Sequence, residues 1–126
     1  MSDTQGKFYK KLYGKVGEKK AEKYLKKLGY KLIKRNYVTP MGETDLLMQD
    51  GETTVFIEVK SRKTDDFGVP SLAVDYKNQQ KYVKMALYYM QSVGKELYIR
   101  FDIIEITDGE INHIKNAFTQ TTKVKK

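Results

Sequence analysis

Between Tyr30 and Lys60 the chain alternates strand-forming runs with very short turns, and this block constrains the fold more than any other feature. Tyr30–Val38 reads as a strand, Thr39-Pro40-Met41-Gly42 as a turn and Glu43–Gln49 as a second strand. Asp50-Gly51 is a tight-hairpin signal, and Thr53–Lys60 is a third strand rich in β-branched residues. Helical periodicity flanks the block. From about Val16 to Leu28 the residues Ala21, Tyr24, Leu25 and Leu28 recur at helical spacing, and Gly29 ends the stretch. After a turn-rich segment, Ser61–Val74, a second helix is expected from about Tyr76 to Val93, with Gln79, Val83, Ala86, Leu87 and Met90 on one face and Gly94 closing it. Tyr98–Ile106 reads as a fourth strand, which Asp108-Gly109 turns into a fifth, Glu110–Ala117. The order α-β-β-β-α-β-β predicts an α/β fold, a mixed sheet flanked by helices.

The 126 residues suit one domain, with a core over about 14–117, frayed ends at 1–9 and 119–126, and a flexible basic tail in the latter. The absence of cysteine excludes disulfides and a cysteine-based zinc site, and the single His113 excludes a histidine-rich one. No signal-like or membrane-spanning apolar run is present, so no membrane partner and a cytoplasmic location are the default expectations. The charge is uneven. Residues 1–38 carry twelve Lys and Arg against three acids, whereas residues 39–126 carry twelve against thirteen. A surplus confined to one third of the chain suggests a polyanion meeting one region of the surface. A merely solvated basic helix is the plainer alternative.

The chemistry is expected in Gly42-Glu43-Thr44-Asp45 and Phe56-Ile57-Glu58-Val59-Lys60. With Asp50-Gly51 as a two-residue loop, Asp45 falls opposite Phe56 and Glu43 opposite Glu58. Period-two alternation then puts Glu43, Asp45, Glu58 and Lys60 on one face. Asp45 and Glu58 become diagonal neighbours, roughly 7–8 Å apart at the backbone. Such acids repel, and a hard cation with oxygen ligands, Mg²⁺ or Mn²⁺, would resolve the conflict. Lys60, on the same face, would supply positive charge beside a reacting phosphate. The alternative is an exposed polar face on which Glu58 and Lys60 pair with each other. A register slip of one residue would also turn Asp45 away.

On a helical wheel, Lys15, Lys19, Lys20, Lys23, Lys26 and Lys27 lie opposite the apolar stripe, with Glu18 and Glu22 on the seam. Glu22 has Lys26 at i+4, but Glu18 has Glu22 there. A seam acid without an i+4 cation could reach towards a metal at the sheet edge, or could simply be solvated. No Walker A loop and no G-x-S-x-G elbow is present. The ten tyrosines could stack on bases, although those at helical spacing, such as Tyr24, read as core.

Gly17-Glu18-x-x-Ala21-x-x-Tyr24-Leu25, Gly29-Tyr30, Arg35-Asn36-Tyr37, Gly42-Glu43-Thr44-Asp45, Val55 to Lys60 followed by x-Arg62, Phe67-Gly68, Lys77, Ala86 and Arg100-Phe101-Asp102 occur in order. Together they resemble the YraN-like family of predicted endonucleases, itself similar to archaeal Holliday junction resolvases within the PD-(D/E)xK superfamily. The resemblance spans roughly Gly14 to Ile106, and Thr44 stands where the family usually has Ile. It implies a restriction-endonuclease-like sheet, with Asp45, Glu58 and the Val59 carbonyl as Mg²⁺ ligands. It also implies Lys60 as the catalytic lysine and Glu18 as an accessory acid. Lys19, Lys23, Lys26, Arg62 and Lys77 are candidate phosphate contacts. Asp102, two residues after Arg100 on one strand, is expected to make a structural ion pair with it. The function implied is Mg-dependent phosphodiester hydrolysis on DNA, branched or single-stranded forms included, with a homodimer by analogy to resolvases. The alternatives are a nuclease-like module that holds nucleic acid without cutting it, and a small basic RNA-associated protein.

Overall fold

A computed structural model describes residues 3–62 and 76–117, with side chains described for 14–62 and 78–117. The elements are α1 (Asp3–Lys27), β1 (Lys31–Thr39), β2 (Gly42–Asp50), β3 (Thr53–Arg62), α2 (Tyr76–Val93), β4 (Tyr98–Thr107) and β5 (Glu110–Ile114). The order is the one expected. The five strands form one sheet in chain order, β1-β2-β3-β4-β5. Every neighbouring pair is antiparallel except β3 and β4, which are parallel and are linked through α2. A parallel pair needs such a crossover, and this one places α2 on a face of the sheet. No helix among the described residues is long and apolar enough to cross a membrane.

The two faces of the sheet bury separate cores. Alternation sends Leu46, Met48, Val55, Ile57, Ile104 and Ile106 towards Ala21 and Leu25 of α1. The opposite phase sends Leu47, Phe56 and Phe101 against Tyr82, Met85 and Ala86 of α2. Central strands covered on both faces explain why β3 reads as a nearly continuous apolar run from Val55 to Ile57. Phe67-Gly68 and the 119–126 tail lie outside the described residues.

Four expectations are corrected. Residues 3–9 are helical rather than frayed, because α1 begins at Asp3. Leu28 lies beyond the last turn of α1 and is 52% exposed rather than core. On α2 the buried stripe includes Tyr82 and Met85, while Leu87 is 40% exposed. The β2–β3 hairpin turns at Gly51-Glu52, not Asp50-Gly51, since Asp50 pairs with Thr53. Gly51 has φ 61, the conformation a type II′ turn needs at its first loop position, where a side chain is disfavoured. The register therefore moves by two residues. An even shift preserves the faces, so Asp45 stays on the side of Glu58. The β4–β5 hairpin turns at Asp108-Gly109 as expected, with Thr107 paired to Glu110.

Candidate active site

Asp45 sits where the sheet opens on both flanks. Towards β3, the pairing runs from Asp50 with Thr53 to Leu46 with Ile57 and stops. Continued, it would bring Thr44 against Val59. Side chains take over instead: Thr44 Oγ1 donates to the Ile57 carbonyl at 3.1 Å, and the Val59 amide donates to Asp45 Oδ2 at 2.8 Å. Thr44 is buried. The residue that departs from the family pattern thus bonds to the strand that carries Glu58. Towards β1, Arg35 pairs with Leu46 and Tyr37 with Thr44, but the rung between them, Asn36 opposite Asp45, is not made.

Three acids act on Asp45 in this gap. Burial pushes its carboxyl up to about 6 and the Val59 amide pulls the other way, while the charges of Glu18, Glu58 and Glu43 raise it further. Glu18 of α1, Glu58 of β3 and Glu43 of β2 thus all act on Asp45 through their charge. Glu58 accepts a hydrogen bond from the Tyr82 hydroxyl, and its other oxygen is 3.2 Å from Lys60 Nζ. Tyr82 is held above the ordinary phenol range, by burial first and then by Glu58. Among the described residues no three His, Cys, Asp or Glu side chains form a ready-made metal cluster. Two carboxylates can still suffice for Mg²⁺, which usually keeps several waters. In a strand, the residue whose amide faces a neighbour turns its carbonyl the same way. The Val59 carbonyl therefore faces the Asp45 side of β3, and the oxygen-only donor set fits a hard cation.

Glu18 reaches the site because α1 touches β3. Gly17 is so close to Ser61 that a Cβ there would stand 2.0 Å from Ser61 Oγ. One turn on, Glu22 is clamped by Arg35, with Nε and Nη2 at 2.7 and 2.8 Å, and by Lys26 Nζ at 2.8 Å. Arg35, then Lys26, hold its carboxyl down at about 2 against burial. Sequence reasoning found Lys26 by helical spacing but had no signal for Arg35, which approaches from β1.

The remaining candidates separate. Lys19, Lys23 and Lys26 are exposed on α1, and the Lys26 ammonium is already bound to Glu22. Arg62 Nε is 3.3 Å from Glu105. Lys77 lies in α2 with its side chain outside the described residues. Asp102 forms the structural ion pair expected of it: Arg100 donates to its two oxygens at 2.9 and 3.0 Å, His113 Nε2 lies 2.8 Å from Oδ2, and the Asn116 amide donates to Oδ1 at 3.0 Å. Burial opposes the charge, but His113, Arg100 and Asn116 together hold Asp102 below the usual carboxylate range. Tyr82 and Asn36 were missed as site residues. Tyr82 follows from placing α2 over Phe56, and Asn36 from its register position.

The uncharacterised protein family UPF0102 matches residues 17–106. A UPF0102 protein of Thermodesulfovibrio yellowstonii is 51% identical over 105 residues, covering 83% of this chain and 94% of the relative. Another, from Caldanaerobacter subterraneus, is 46% identical over 120 residues, covering 89% of this chain and 98% of the relative. Among solved structures, Pyrococcus furiosus SfsA in complex with Ca²⁺ shares 18% identity at a TM-score of 0.33, covering 84% of this chain and 63% of that one. A likeness that low carries no argument. Sequence likeness over most of its length, together with the α-β-β-β-α-β-β fold, shows that the chain belongs to the uncharacterised protein family UPF0102, the YraN-like family its linked motifs anticipate.

Proposed function

We propose that this chain is a Mg²⁺- or Mn²⁺-dependent endonuclease that hydrolyses phosphodiester bonds in DNA. One observation carries the reading: a half-buried Asp45 stands in a break in the sheet under the combined charge of Glu18, Glu43 and Glu58. Such a gathering opposes folding and is explained by a cation. Asp45, Glu58 and the Val59 carbonyl would hold it. A bound divalent ion would supply Lewis acidity towards a phosphoryl oxygen. The chain's own residues supply the rest. Tyr82 fixes one oxygen of Glu58. Lys60, on the strand of Glu58, offers an ammonium to the charge that develops on phosphate. The exposed lysines of α1 lie on the helix that delivers Glu18 and would grip the backbone of the nucleic acid. A homodimer that cuts paired strands fits the resemblance to junction resolvases.

One observation favours a second reading, a module that holds nucleic acid without cutting. Lys60 and Glu58 already neutralise each other at 3.2 Å. A cleavage assay on linear, single-stranded, flapped and four-way DNA, with Mg²⁺ and with Mn²⁺, separates the two. Metal-dependent product that disappears in Asp45→Asn supports the nuclease. Tight binding with no product on any substrate supports the module.

A further inference from the structure

β1 changes sides at Asn36, beyond the register shift between Leu32 and Lys34. Arg35 reaches α1 and clamps Glu22, yet Tyr37, two residues on, packs against Phe56 and Tyr89 on the α2 side. Period-two alternation would put both on one face. Asn36 between them has φ 48, a left-handed conformation that asparagine tolerates better than most side chains, and its rung with Asp45 is unmade. Its side-chain amide donates instead to Glu18 Oε1 at 3.3 Å.

We propose that Asn36 is a positioning residue: its left-handed backbone turns the side-chain amide to α1, where it holds the Glu18 carboxylate beside Asp45. The inference rests on the metal-site reading above and adds the device that recruits the helix to it. Glu18 has no cation at i+4, and among the described residues it makes no ion pair with Lys15 at i−3. Docking through Gly17 brings the helix close to β3, and Asn36, which bonds Glu18, stands opposite Asp45 in the register of β1 and β2. Glycine would satisfy φ 48 equally well. A purely conformational role would therefore be met by glycine, whereas a clamp needs the amide.

The test compares the parent, Asn36→Gly, Glu18→Gln and the double variant by Mn²⁺ calorimetry and thermal melts. Asn36→Gly should melt close to the parent. Each single variant should bind Mn²⁺ roughly ten-fold more weakly, the scale for outer partners of a metal site. The double should be no weaker than the weaker single, because both changes remove the same held carboxylate. Asn36→Gly binding Mn²⁺ like the parent would overturn the assignment, as would losses that multiply in the double. An Asn36→Gly protein that fails to fold would also overturn it, since the amide would then hold the sheet and not Glu18. A folded parent that binds no Mn²⁺ is a distinct result, and it removes the metal-site reading itself.

Discussion

The Val59 amide donates to Asp45 Oδ2 at 2.8 Å, where a backbone rung between β2 and β3 would otherwise form. The bond ties the most burdened carboxylate of the site to the strand that carries Glu58 and Lys60. It also leaves the second oxygen of Asp45 for another partner. The same contact orients Asp45 and satisfies the amide at the point where the ladder ends.

That arrangement makes metal-free stability depend on pH in a definite direction. The Asp45 carboxyl is pushed up to about 6 from an ordinary value of 3.8, by burial first and then by Glu18, Glu58 and Glu43. Between those values the folded protein holds a proton that the unfolded chain releases. This contribution is therefore fully present below about pH 4 and is lost as pH rises through about 6. Asp45→Asn keeps an acceptor for Val59 and removes the charge. In chelator near pH 7 it should melt above the parent, by a few degrees if the relief is about 1 kcal/mol. The gap between the two proteins should close towards pH 4. Mn²⁺ should raise the melting temperature of the parent but not of the variant. An Asp45→Asn protein that melts lower, beside a parent indifferent to metal, would make Asp45 a structural residue.

Gly17 and Ser61 give a second prediction. A Cβ at position 17 would stand 2.0 Å from Ser61 Oγ, 3.4 Å from Ser61 Cβ and 3.7 Å from Ile106 Cδ1. The obstacle is one hydroxyl, and among the described residues that buried hydroxyl has no hydrogen-bond partner. Gly17→Ala alone should lower the melting temperature by shifting the helix. Adding Ser61→Ala should restore it and lift it above the parent, because alanine is favoured over glycine inside a helix by about 1 kcal/mol. A fully stable Gly17→Ala single variant would show that α1 does not approach β3 this closely.

Much of this was legible in the residues, for reasons that also explain the misses. Helix and strand periods gave the element order, and α2 ends where expected because periodicity and Gly94 agree. The β2–β3 turn falls one residue later than the Asp-Gly signal predicts, because Asp-Gly and Gly-Glu both suit two-residue loops and local chemistry alone does not choose between them. Asp45 and Glu58 stay on one face because the resulting shift is even. Asn36 was visible only as part of a motif: left-handed strand residues leave no periodic trace. The Arg35 clamp on Glu22 joins positions thirteen apart, beyond any helical spacing rule.

Glu22 contributes with the opposite sign to Asp45. Arg35 first, and Lys26 after it, hold its carboxyl down at about 2 from an ordinary value of 4.5. A depressed carboxyl stabilises the fold above about pH 4.5, and the effect is lost as pH falls towards about 2. Glu22→Gln should therefore lower the melting temperature at neutral pH and converge with the parent in acid. The change removes the charge that Arg35 and Lys26 pair with and turns one of the two acceptor oxygens of this buried side chain into an amide donor. Equal melts at neutral pH would show that the clamp adds nothing to stability.

The salt dependence of nucleic-acid binding tests the basic face of α1. Replacing Lys19, Lys23 and Lys26 by Gln should flatten the slope of log affinity against log salt. Three phosphate contacts would remove about 2.7 from a duplex slope. Lys26 is bound to Glu22 at 2.8 Å, so it releases fewer counterions than a free lysine. We expect a loss near about 2, carried by Lys19 and Lys23. An unchanged slope would move the phosphate grip elsewhere on the surface.

Lys60 separates chemistry from ligation. Its ammonium is 3.2 Å from Glu58 Oε2, so it competes with any cation for that oxygen, and it brings no ligand atom of its own. Lys60→Ala should therefore keep Mn²⁺ affinity, or raise it, in calorimetry. If the ammonium also stabilises charge developing on phosphate, the same variant should lose turnover by about 100-fold or more, the scale of losing one such electrostatic group. KM should change little, since Lys19 and Lys23 still hold the substrate. The outcomes diverge cleanly. Retained turnover removes Lys60 from the mechanism, and weakened Mn²⁺ binding shows that it orders Glu58 for the metal. Tighter metal with lost turnover is the pattern expected of a lysine that waits on Glu58 and acts on phosphate.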